Sequence, residues 1–95
     1  MNRNMFIDSI MEKLNKRIKK GILAVSTEKK LHGSVIIRYY CKETYPGIGY
    51  GRIISQNEML MFGTAEIDDL VNHIISEIED LLKRNSRDPS DYLEV

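Results

Sequence analysis

The sequence predicts a two-layer α+β fold: a helix, then an antiparallel meander of three or four strands, then a second helix, with both helices on one sheet face. Three observations predict it. Apolar residues recur at helical spacing near both ends of the chain, and the centre is rich in β-branched and aromatic residues with a period of two. The third is length, because 95 residues allow one core. Residues 1–85 are read as a single domain and residues 86–95 as a C-terminal tail.

The first helix is expected from about residue 4 to 20. Ile7, Ile10, Met11, Leu14 and Ile18 follow the i, i+3, i+4, i+7 pattern, and Asn4 or Asn2 can cap the start. Lys16, Arg17, Lys19 and Lys20 sit in the last turn, where the helix dipole favours cations, and Gly21 supplies the stop.

The strands follow. "ILAVST" (22–27) and "SVIIRYYCK" (34–42) flank a polar loop ending in Gly33, and "GYGRIIS" follows a turn at Tyr45-Pro46-Gly47. "EMLMFG" (58–63), reached through a Gln56-Asn57 turn, is a candidate fourth strand. In the second strand Val35, Ile37, Tyr39 and Cys41 point toward the core, and Ile36, Arg38 and Tyr40 point away.

The last helix is the strongest local signal. Ile67, Leu70, Val71, Ile74, Ile75, Ile78, Leu81 and Leu82 form one apolar stripe, with Thr64 as candidate N-cap and acidic residues in the first turns. Beyond Asn85, the Asp88-Pro89 pair stops the helix. The tail is expected to fray unless Tyr92, Leu93 and Val95 dock on the body.

Composition narrows the class. The chain is 42% apolar and 29% charged, as in globular proteins, and no apolar run approaches the length of a membrane span or a signal peptide. One cysteine, Cys41, agrees with a reducing compartment, and a cytoplasmic protein with no membrane partner is expected. Net charge is zero, yet residues 1–52 hold 11 Lys and Arg against 4 Asp and Glu, while residues 53–95 hold 3 against 10. Either the protein has one basic and one acidic surface, or each helix matches its own dipole.

The glycine run "GIGYGRII" is not a phosphate loop. Phosphate loops of the Walker type place a lysine, a hydroxyl residue and a helix start after the glycines, whereas here Ile53 and Ile54 continue a strand. Strand geometry puts the glycines on one face and Ile48, Tyr50 and Arg52 on the other. Pairing of strands two and three is then expected to display Ile36, Arg38, Tyr40, Tyr50, Arg52 and Ile54 together on the open sheet face. Tyrosine and arginine bury large amphipathic area while satisfying their polar ends, so this face is the candidate partner-binding site.

His73, with Asp69 and Glu77 one turn either side, has metal-ligand spacing, but charge pairing on a solvated helix is the commoner meaning. No metal, cofactor or catalytic residue is assigned, because no nucleophile, base and orienting group come from elements expected to meet. A nucleic-acid site would use Lys13, Lys16, Arg17, Lys19 and Lys20 with the same Tyr/Arg face. Zero net charge weighs against it. The order helix, three strands, helix is also that of double-stranded-RNA-binding domains, but those carry lysines where this chain has "AEIDD".

Two resemblances bear on function. "GYGRIISQNEMLMFGTAEIDDLVNHIISEI" resembles the hairpin-to-helix half of HicB-type antitoxins, over about a third of the chain. The whole element order is similar to that of some phage-encoded anti-CRISPR inhibitors, small non-enzymatic proteins that occupy a nuclease's nucleic-acid site. Both imply a non-catalytic inhibitor or regulator that binds another protein. A homodimer is expected as well, since association would help stabilise so small a domain.

Overall fold

A computed structural model describes residues 1–19, 22–42 and 49–94. The elements run α1 (Arg3–Arg17), β1 (Leu23–Lys29), β2 (Val35–Cys41), β3 (Gly49–Ile54), α2 (Gln56–Leu60) and α3 (Thr64–Arg84). Lys20, Gly47, Ile48, Val95 and the Tyr45-Pro46-Gly47 turn lie outside the described residues.

Each helix starts where a local acceptor satisfies its free amides. Asn2 caps α1 by accepting from the Met5 amide at 2.9 Å. The cap of α3 lies one residue earlier than expected: Gly63, not Thr64, holds the N-cap position, and the Glu66 carboxylate accepts from the Gly63 amide at 3.0 Å.

The three strands form one antiparallel sheet in the order β1-β2-β3. A tight turn, with His32 and Gly33 at φ 64° and 81°, joins β1 to β2, and the Lys30 amide donates to the Ser34 carbonyl at 2.9 Å to close it. The buried strand residues Leu23, Val35, Ile37, Tyr39, Cys41 and Ile54 all share one face. Against that face pack Phe6, Ile10 and Leu14 of α1 and the stripe Ile67, Leu70, Val71, Ile74, Ile75, Ile78 and Leu82 of α3. Both helices therefore cover the same side, since one sheet offers one core. Within α1 the buried stripe runs through Phe6 rather than Ile7 or Met11, which are half-buried.

Two expected features take a different form. Residues 58–63 are not a fourth strand, because the chain turns helical at Gln56 and buries Met59 in the core beside α1. The cause is local: the Ser55 hydroxyl accepts from the Glu58 amide at 3.2 Å and nucleates the turn. At the other end the tail docks. Tyr92 and Leu93 are buried, the Lys19 amide donates to the Tyr92 carbonyl and the Glu94 amide to the Arg17 carbonyl, both at 2.8 Å, and Ile18 bridges to Leu93. Among the described residues, no helix is long and apolar enough to cross a membrane.

Candidate interaction surface

The pairing register divides the expected Tyr/Arg face between the two sides of the sheet. Directly opposed residues in an antiparallel pair point the same way, and Tyr39 is opposite Tyr50, Ile37 opposite Arg52 and Val35 opposite Ile54. Tyr50, Arg52 and Ile54 thus belong to the helix-facing side, contrary to expectation. The open side carries Ile36, Arg38 and Tyr40 as expected, together with Gly49, Gly51 and Ile53 of β3 and Ala24, Ser26 and Glu28 of β1.

Tyr40 and Ile53 are large apolar side chains left exposed on that open side, Tyr40 at 46% and Ile53 at 65%. Gly49 lies opposite Tyr40 and Gly51 opposite Arg38, so no β3 side chain rises beside either of them. A groove of about 370 Å³ results, lined by Arg38, Tyr40, Gly49 and Gly51 and by Tyr39 and Tyr50. A Cβ built on Gly49 would lie 3.4 Å from the Tyr40 Cβ, an ordinary contact, so the glycine leaves the strand bare without being required by crowding there. One charged cluster borders the groove: Glu28 pairs with Lys30 at 2.7 Å and with Arg38 at 3.4 Å. The Lys30 ammonium, with help from Arg38, holds the Glu28 carboxyl below its usual range.

On the helix side, Glu77 of α3 collects three donors. The Tyr39 hydroxyl donates to Oε2 at 2.9 Å, and Arg52 and His73 reach Oε1 at 3.1 and 2.8 Å. Burial raises the Tyr39 phenol well above its ordinary pKa, and the bond to Glu77 adds to the effect. Both oxygens of Glu77 are thereby occupied, Oε1 by Arg52 and His73 together. No ion pair joins Asp69 to them, and no cluster of three metal-ligating side chains occurs, among the described residues.

The basic residues of α1 are largely engaged by α3, which lies alongside. Lys13 pairs with Asp68 and Arg17 donates to Asn72 at 3.2 Å. Lys16 pairs with Glu12 one turn away at 3.3 Å, and the Lys19 ammonium donates to the Ser90 carbonyl at 2.6 Å. Lys13 thus meets an acidic residue of the second half where α1 lies against α3.

A second apolar area was not anticipated. Leu60 at the end of α2 and Met61 after it turn outward, 64% and 81% exposed, and Leu60 lies beside Met1, His32 and Gly33. The signal for it was present in Ser55-Gln56-Asn57-Glu58, a capping-box sequence that precedes a helix. The same finding alters the antitoxin likeness, because its hairpin needs a strand where α2 stands. Comparison of the chain with known proteins gave no match to a family model, a curated protein or a solved structure.

Proposed function

We propose that the protein is a non-catalytic binding protein, an inhibitor or regulator, that engages another protein through its open sheet face. The observation that supports this reading is the placement of exposed Tyr40 and Ile53 and charged Arg38 around two bare glycines, on a face that neither helix covers. An aromatic anchor beside an arginine, over accessible backbone, is the composition of a binding hot spot. The nucleic-acid reading has less support, since Lys13 and Arg17 are engaged by α3 and net charge is zero.

A photo-crosslinking amino acid at Tyr40 should capture one discrete protein other than a second copy of this chain in cells that express the gene, and the same group at Ser76, on the exposed side of α3, should not. Adding Arg38→Ser should reduce the captured band at least tenfold while the circular dichroism spectrum is unchanged. Equal capture from both positions, or capture of nucleic acid by Tyr40 alone, would overturn the reading.

A further inference from the structure

The free edge of β3 differs from that of β1. β1 carries Ser26, Glu28 and Lys29, a charged and polar edge of the kind that prevents strand addition, and Lys29 is tied to Asn4 at 2.9 Å. β3 has no lysine and no proline, and its one charge, Arg52, is neutralised by Glu77 at 3.1 Å. Among the described residues no backbone bond reaches β3 except from β2. An accessible edge of this kind is a template for another strand.

We propose that β3 pairs antiparallel with β3 of a second copy of this chain, centred on Gly51, to give a continuous six-stranded sheet. The sequence "GYGRI" is self-complementary in that register. On the open side, Ile53 of each copy lies opposite Gly49 of the other, and Gly49 is itself opposite Tyr40. The exposed isoleucine therefore covers bare backbone and reaches the exposed tyrosine beyond it, so two apolar side chains left in water by the single chain bury each other. On the helix side, Arg52 of each copy lies opposite Tyr50 of the other and places its guanidinium beside a ring already stacked on Tyr39. The neighbouring register, centred on Arg52, sets the two arginines face to face, and like charges directly opposed are unfavourable. Zero net charge leaves no long-range repulsion between copies. This pairing draws on Tyr40 and Ile53, which the open-face reading also uses, and leaves Arg38 accessible to a partner; a wild type of 11.0 kDa defeats the pairing alone, whereas equal crosslinking from Tyr40 and Ser76 defeats the open-face reading alone.

Light scattering and directed disulfides test it. The wild type should run at twice the 11.0 kDa chain mass, and Ile53→Lys should run at 11.0 kDa with the same circular dichroism spectrum. Gly51→Cys should oxidise to a covalent dimer, because the two residues at the symmetry axis stand at cross-strand distance. Ile53→Cys should not, because its symmetry mate lies four residues further along the strand. Wild type of 11.0 kDa at all concentrations overturns the proposal, as does a dimer indifferent to Ile53→Lys or one in which Ile53→Cys crosslinks and Gly51→Cys does not.

Discussion

Tyr50 stacks on Tyr39, with ring centroids 5.4 Å apart and planes 28° from parallel, on the side of the sheet that α3 covers. The pair fixes which way β3 faces, and Glu77 holds the arrangement from below through Tyr39 and Arg52. Glu77→Ala leaves a buried hydroxyl without its acceptor, a loss of about 1–3 kcal/mol. Arg52→Ala removes a pair that is a third exposed on the arginine side, worth ~0.2–1 kcal/mol. Urea denaturation should rank Glu77→Ala as the more destabilised, and an equal or reversed order would show that Glu77 does not organise the cluster.

Alkaline titration reads the same contact. The Tyr39 phenol is held protonated above its ordinary value near 10 by burial, so in the folded protein it remains neutral where an unfolded tyrosine ionises. The unfolded state then binds fewer protons, so the stabilisation is complete below the unfolded pKa and is lost as pH rises beyond it. Phenolate absorbance should show a fraction of the tyrosine signal lagging until alkaline unfolding, and Tyr39→Phe should reduce that lagging fraction by one tyrosine.

How much of this was legible in the sequence follows from which patterns carry a direction. The stripe from Ile67 to Leu82 fixes both the helix and its buried side, because a helical period sustained along most of a 21-residue helix admits one reading. In β2, alternation of Val35, Ile37 and Tyr39 with Arg38 sets the inward side as clearly. β3 carries no such sign: glycines fit either face, tyrosine and arginine are amphipathic, and Ile53 and Ile54 are adjacent. Its facing is set by pairing with β2 and by Glu77, a long-range partner that local alternation does not reveal. Residues 58–63 were misread for a different reason, since their apolar content masked the capping signal at Ser55.

That capping signal has a measurable worth. Ser55→Ala removes the side-chain acceptor for the Glu58 amide and should cost ~1 kcal/mol, whereas Ser55→Asp, which also accepts there, should restore stability. Thermal unfolding of both variants checks it. A loss shared equally by the aspartate variant would mean that the hydroxyl has another role.

The last prediction concerns residues 86–94. Tyr92 is 2% exposed and Leu93 4%, and the backbone at Arg17 and Lys19 pairs with this segment through two hydrogen bonds. The chain leaving α3 therefore returns to close the end of the core that α1 leaves at Ile18. Tyr92→Ala removes a buried ring and should cost about 3 kcal/mol or more, a large share of the stability of a domain this small. Truncation after Asn85 removes Leu93 and both hydrogen bonds as well, so its loss should exceed that of Tyr92→Ala. Hydrogen exchange should locate the loosening at Ile18 and Lys19. If truncation left the midpoint of thermal unfolding unchanged, the segment would not be part of the core.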